Sequence, residues 1–320
     1  MRLQRHRERI NGMTKDESLK ISAEIASMIN GGDLVIDYTE SELEAAKMGI
    51  PEISLEGYQH SGLLGDFRID NNEFEKFFVI KKLCDKLDIW RRADDRYLKE
   101  LFGRARLFTV REFYRDPYLF NISVPNAKIG NFALMAVTYD RGEIFQHEMP
   151  DFESDLVVPR LGFFSELVAF PSVYEGVIPW VSVCPSEISS MQTQIRRARG
   201  RVLVLGLGIG YYPYVVSEKE NVGSITIVER QPEIIELFEK NILPQFTNRG
   251  KIRIVRSDAY EFLDSVRDGE FDFCFADIWE GQMDGALAYL RIKEYEERLP
   301  KTEFTYWIEE QIMSYLRCSE

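Results

Sequence analysis

Cysteine and histidine are both scarce in this chain. Its 320 residues include four cysteines, Cys84, Cys184, Cys274 and Cys318, and three histidines. The cysteines stand far apart with no paired spacing, which argues against a disulfide framework and a structural zinc site and suits a reducing compartment. No metal is expected. No stretch approaches the roughly 20 apolar residues that a membrane-spanning helix requires, and no charged segment followed by an apolar one marks a signal peptide. A cytoplasmic protein without a membrane partner is the expectation. Basic charge is short as well: 40 Lys and Arg against 53 Asp and Glu leave a formal net charge of −13. Phosphate backbones are bound by basic surfaces, so no nucleic-acid partner is expected. The opening MRLQRHRERINGM carries Arg2, Arg5, Arg7 and Arg9. It reads as a disordered start, or as a start placed ahead of a natural first residue at Met13, rather than as a nucleic-acid-binding arm. Internal repeats and low-complexity tracts are absent.

What is present suffices for a sizeable core, with 45% hydrophobic and 12% aromatic residues. Three textures follow one another. Residues 1–115 read as a helical region. Thr14 and Glu17 form a capping box ahead of an apolar stripe that ends at Gly31–Gly32, a short helix covers Ser41–Met48 before Gly49 and Pro51, and Phe74–Trp90 repeats apolar residues at helical spacing. Residues 116–185 read as a small β-rich region: Tyr118–Val124, Asn131–Tyr139 and Glu143–His147 favour strands, and Asp140-Arg141-Gly142 has the composition of a hairpin turn.

Residues 186–320 alternate strictly. Apolar strands are expected at Arg201–Leu205, Ser224–Glu229, Lys251–Arg256 and Phe271–Ile278, with helices between them and helices over Ala286–Arg298 and Glu303–Leu316. That rhythm specifies an α/β fold, a doubly wound parallel sheet. With only four strands apparent, the sheet is either truncated after the fourth or covered there by strands from the β-rich region.

The first of these strands, RVLVL, runs into Gly206-Leu207-Gly208-Ile209-Gly210-Tyr211. Glycines permit positive φ and a close approach that a Cβ would block. The dinucleotide fingerprint G-x-G-x-x-G needs a glycine at position 211, where Tyr211 stands, which weighs against a nicotinamide dinucleotide. Glu229 ends the second strand, where a carboxylate can accept hydrogen bonds from both hydroxyls of a ribose. Asp258, with Ala259, follows the third strand and either meets an adenine or caps the next helix, roles that are compatible. Asp277 ends the fourth strand.

These four features in order resemble the S-adenosylmethionine-binding core of class I methyltransferases, and within that superfamily the spermidine synthase-like branch. The resemblance covers Gly200–Ile278, about a quarter of the chain, and implies a Rossmann-like domain with S-adenosylmethionine as cofactor. It places Gly206, Gly208 and Gly210 at the methionine and ribose, Glu229 at the ribose, Asp258 with Ala259 at the adenine, and Asp277 at the edge facing the reactive sulfonium. Asp277 is thus the candidate catalytic base or amine-orienting group. Trp279, Trp180 and Ser182 are candidate substrate contacts, although Trp279 equally suits a core position beneath the next helix. Glu175, Glu187 and Glu280 can make the site acidic. The strand end reads Asp277-Ile278-Trp279-Glu280, without the second acid shortly after the first that spermidine synthases carry.

The expected function is therefore an S-adenosylmethionine-dependent methyltransferase acting on a small molecule or a protein. Two alternatives stay open: a spermidine synthase-like aminopropyltransferase, and a non-catalytic S-adenosylmethionine-binding sensor or scaffold.

Overall fold

A computed structural model of the chain describes residues 12–48 and 71–319. The opening arginines and the Gly49 and Pro51 helix stop lie outside the described residues. The chain divides into two compact units. The first comprises the described residues up to Val110 together with Thr138–Val168, and the second comprises Arg111–Val137 together with the chain from Ala169 onward. The stretch expected as a separate β-rich region over 116–185 is shared between them.

In the first unit, helices α1 (Lys15–Asn30), α2 (Glu40–Lys47), α3 (Asn71–Lys86) and α4 (Asp95–Arg104) follow in order. Helix α1 carries the expected Thr14–Glu17 capping box, and α2 has an equivalent one from Thr39 and Glu42. Phe77, Phe78, Leu83, Leu98, Leu101 and Phe102 are buried, so the aromatic stripe is core. The rings of Phe77 and Phe102 stack with centroids 5.5 Å apart. Strand β1 (Arg106–Phe108) belongs to a three-stranded sheet.

The second unit begins with a correction. Tyr118–Val124, read as a strand, instead supplies a short helix, α5 (Pro117–Asn121). Asp116 Oδ1 accepts from the Tyr118 and Leu119 N–H groups, and Pro117 fills the first helical position, where its missing donor costs nothing. These two local signals outweigh the aromatic, β-branched composition that follows. The chain continues through β2 (Ala127–Ile129), β3 (Phe132–Tyr139), β4 (Phe145–Glu148), β5 (Arg160–Phe164), β6 (Val168–Glu175) and β7 (Ile178–Ser182). The first-unit sheet has the order β1-β5-β4, and a four-stranded sheet has the order β2-β3-β6-β7. The turn at Asp140–Gly142 therefore closes no hairpin, because β3 and β4 enter different sheets.

From Pro185 the alternation holds: α6 (Pro185–Arg197), β8 (Gly200–Leu205), α7 (Tyr211–Ser217), β9 (Val222–Glu229), α8 (Pro232–Asn241), β10 (Ile252–Arg256), α9 (Ala259–Ser265), β11 (Phe273–Ala276), α10 (Gln282–Arg298), β12 (Glu303–Tyr306) and α11 (Glu309–Ser319). The five strands form one parallel sheet in the order β10-β9-β8-β11-β12. Successive residues of β8 feed two cores, Val202 and Val204 on one face and Leu203 and Leu205 on the other, as a strand covered on both sides requires.

The sheet does not stop at four strands, and no strand of the β-rich region covers its fourth. Residues 303–306, expected to begin a helix, form β12 and pair with β11, Phe304 beside Cys274 and Tyr306 beside Ala276. Phe304, Thr305 and Tyr306 are buried, and the Thr305 hydroxyl donates to the Cys274 carbonyl at 3.0 Å. A three-residue run of β-formers is too short to register as a strand by periodicity, yet it fits a half-covered sheet edge.

Helix α5 packs on α7 within the second unit. The Tyr118 hydroxyl donates to the Ile209 carbonyl at 2.6 Å, and its ring lies edge-on to Tyr211 and Tyr214 at 5.6 and 5.5 Å. Tyr118 is fully buried. Tyr118→Phe leaves that carbonyl without its donor and should lower unfolding stability by about 1–2 kcal/mol. Chemical denaturation of the full chain measures this; an unchanged midpoint and slope would show that the bond contributes nothing.

Candidate functional site

Every residue that the resemblance singled out near the glycine turn lies at or just beyond the C-terminal edge of the parallel sheet. The turn follows β8, Glu229 ends β9, Asp258 stands two residues beyond β10, and Asp277 follows β11 directly. The chain winds outward from β8 to β9 and β10 on one side, and to β11 and β12 on the other. The gap between β8 and β11 is thus the switch point of the sheet, where open α/β folds leave a crevice for ligands.

All three turn glycines take positive φ: +96° at Gly206, +55° at Gly208 and +81° at Gly210. At Gly206 a Cβ would lie 2.0 Å from the Asp277 carbonyl oxygen, and at Gly210 it would lie 2.3 Å from the Phe238 ring. Gly208 differs, since a Cβ there would rest at 3.6 Å from the Val181 methyl groups. Its backbone lines the cleft described below, and its positive φ is what favours glycine there. The turn is also held from beneath, because Glu229 Oε2 accepts from the Leu207 N–H at 3.2 Å and Oε1 accepts from the Gln231 N–H at 2.8 Å. Tyr211, the residue that excludes the dinucleotide fingerprint, is buried and donates its hydroxyl to Asp116 Oδ2 at 2.9 Å.

A narrow, partly open cleft lies at the switch point. Gly206 through Ile209 form one wall, Ser182 and Val181 of β7 another, and Glu187, Ile188 and Met191 of α6 a third. Tyr212, Phe275 and Asp277 complete it. The Tyr212 and Phe275 rings stack with centroids 4.1 Å apart.

The cleft brings together Gly206, Gly208, Ser182 and Asp277, and adds Glu187. Glu229, Asp258 and Ala259 lie outside its lining. Asp258 is the N-cap of α9, accepting from the Tyr260 and Glu261 N–H groups through Oδ1. Ala259 is buried in the core of the opposite sheet face. The two tryptophans expected as substrate contacts lie away from this cleft. Trp279 is only 7% exposed and stacks over Tyr306, centroids 6.5 Å apart, so it is a core residue beneath α10. Trp180 points to Phe132 of β3 at 5.7 Å and does not line the cleft. Neighbours on a strand face opposite ways, so Val181 and Trp180 take different environments. Glu175 and Glu280 are exposed and also lie outside the lining.

The two acids inside are unusual in having no help. Neither the Glu187 nor the Asp277 carboxylate has a hydrogen-bond or ion-pair partner among the described residues. Burial pushes Asp277 well above the ordinary carboxylate range, and the nearby Glu187 carboxylate adds to the effect. Burial alone pushes Glu187 up to about 7, even though it sits in the first turn of α6, where the helix dipole favours an anion. Glu187 was legible in sequence only as one acid among several. Its pairing with Asp277 depends on β8 and β11 being neighbours, which no local pattern states.

A folded-state carboxyl raised above its unfolded value holds its proton longer in the native protein, so stability falls as pH rises between the two values. For Glu187 the window runs from the unfolded value of 4.5 to about 7. Glu187→Gln should remove a penalty on the order of 1–3 kcal/mol near pH 8, with little change near pH 5. Thermal melts at both values test this; an equal loss of Tm from low to high pH in variant and wild type would refute it.

No protein-family model matches the chain, and no curated protein matches it. Solved structures similar to it include a conserved hypothetical protein of Streptococcus pyogenes, 14% identical over 34% of this chain and 66% of that one, with a TM-score of 0.28. The aligned part thus spans just under two thirds of that relative. Another is a precorrin 8w decarboxylase of Methanobacterium thermoautotrophicum, 16% identical over 42% of this chain and 70% of that one, with a TM-score of 0.32. Scores this low carry no argument, and the functional reading rests on the site itself. Among the described residues no helix is long and apolar enough to cross a membrane, and no cluster of three or more His, Cys, Asp or Glu side chains is placed to hold a metal ion.

Proposed function

We propose that the second unit is an S-adenosylmethionine-dependent transferase, most simply a methyltransferase acting on a small molecule or a protein. The observation that carries this reading is the meeting of the glycine turn and Asp277 at the sheet's switch point, on either side of one cleft. Gly208 lines the same cleft.

In this reading Gly206, Gly208 and Gly210 would hold the methionine and ribose side, Glu229 the ribose hydroxyls, and Asp258 with Ala259 the adenine. Glu229 is suited to the task because both its oxygens are already fixed by backbone N–H groups and retain free lone pairs. When bound, the cofactor supplies an electrophilic carbon on a sulfonium. The chain's own contribution is positional. Asp277 presents a carboxylate, held at the strand end, that can take a proton or orient an acceptor. Ser182 offers a hydroxyl on the facing wall, and Met191, Ile188 and Phe275 keep water away from the cleft interior.

Titration calorimetry with S-adenosylhomocysteine on the purified full chain tests the reading. Saturable binding is expected, weakened at least about tenfold in Glu229→Gln, which keeps the side chain's size. Absence of both heat and thermal stabilisation with S-adenosylhomocysteine and with S-adenosylmethionine removes the proposal.

A further inference from the structure

The glycines that let the turn form also leave it loose. A residue without a Cβ accepts either sign of φ, so a peptide between Gly206 and Gly210 is free to flip unless something holds it. The hydrogen bonds show which peptides are held. The Gly206 N–H donates to the Val228 carbonyl at 2.9 Å, the Leu207 N–H to Glu229 Oε2 at 3.2 Å, and the Gly210 N–H back to the Leu207 carbonyl at 3.0 Å. The Gly208 and Ile209 N–H groups have no partner among the described residues, and both residues line the cleft. These are the turn donors left over for a ligand.

The peptide that follows them is anchored at both ends. The Ile209 carbonyl and the Gly210 N–H belong to one planar unit. Its N–H bonds within the turn, and its carbonyl accepts the Tyr118 hydroxyl at 2.6 Å. That donor comes from 91 positions earlier in the chain and is itself held in place. Tyr118 is fully buried, with its ring edge-on to Tyr211 and Tyr214. Asp116 ties down the helix that carries it: one carboxylate oxygen caps α5, and the other accepts the hydroxyl of Tyr211, the first residue of α7. Burial pushes the Tyr118 phenol above its ordinary range, so it keeps its proton and stays a donor.

We infer that Tyr118 is a positioning residue for the ligand-bearing turn: through the Ile209–Gly210 peptide it holds the neighbouring Gly208 and Ile209 donors in the arrangement that a ligand meets. A turn ordered before binding does not have to be ordered by the ligand, so less of the interaction is lost to ordering. That the ligand is S-adenosylmethionine rests on the transferase reading, whereas the anchor itself stands on the bonds to Ile209 and Tyr211.

Two variants that each lose one buried hydroxyl test the inference. Tyr118→Phe releases the turn. Thr302→Val removes the bond from Thr302 to the Phe271 carbonyl, 2.8 Å long and buried at the end of the sheet away from the turn. Both should lose stability in chemical denaturation. Only Tyr118→Phe should also weaken S-adenosylhomocysteine binding, by about fivefold or more in titration calorimetry, and speed hydrogen exchange of the Gly210 amide relative to Thr302→Val. Wild-type affinity in Tyr118→Phe overturns the inference, as does an equal loss of affinity in the two variants. If the wild type binds neither S-adenosylhomocysteine nor S-adenosylmethionine, the transferase reading falls and exchange decides the anchor: a faster Gly210 amide in Tyr118→Phe than in Thr302→Val supports it, and equal exchange overturns it. Should Tyr118→Phe not fold, Tyr211→Phe, which cuts the tie between α7 and Asp116, enters the same comparison with the same outcomes.

Discussion

The backbone at Gly206 and the backbone at Asp277 come so close that no side chain fits between them: a Cβ on Gly206 would stand 2.0 Å from the Asp277 carbonyl oxygen. Much of the second unit follows from that approach. It fixes the ends of β8 and β11 side by side, and the Asp277 N–H bonds to the Leu205 carbonyl at 2.9 Å to hold them there. Because the chain leaves β8 in one direction and reaches β11 from the other, the same contact marks the place where the sheet opens. A glycine at the first turn position is thus a requirement of strand packing before it is a requirement of any ligand. Larger residues at this point would separate the strands or displace the carboxylate that follows β11.

How much of this was readable from the chain differs by element. Buried parallel strands such as Val202–Leu205 announce themselves as apolar runs, and their alternation with helices specifies the doubly wound class. The cap at Thr14 and Glu17 was equally plain, because capping is a local contract between residues three apart. Strand β12 was hidden because four residues are too few to show a period, and the helix that follows lent them its own pattern. Helix α5 was hidden because Tyr118, Leu119 and Phe120 look like a strand to any rule that ignores Asp116 and Pro117. The turn and the acids at the strand ends were visible as types and spacings. Which of them meet in one cleft was not, since that depends on sheet order.

The acidic residues around the turn divide by what surrounds them. Glu229 is buried, with a backbone donor on each oxygen. Asp258 spends one oxygen on the start of α9. Glu187 and Asp277 are half-buried, without a side-chain partner among the described residues. Acids of the same chemical type therefore act as a brace, a cap and an open pair. The strong negative balance of the whole chain says little about any of them, since among the described residues most acidic side chains lie on the surface.

The cover that α5 places on the glycine turn bears on how the unit assembles. The bonds from Tyr118 to Ile209 and from Asp116 to Tyr211 join residues 91 and 95 positions apart. Neither side is stable by itself, since a five-residue helix is too short to hold alone and β8 needs its neighbours in the sheet. Joining them requires closing a long stretch of chain, and loop closure of that kind carries an entropic cost that must be met before the contact returns anything. The outer face of the turn is thus completed by a long-range contact. Segment 116–122 closes over the turn through contacts that exist only once distant parts of the unit are brought together.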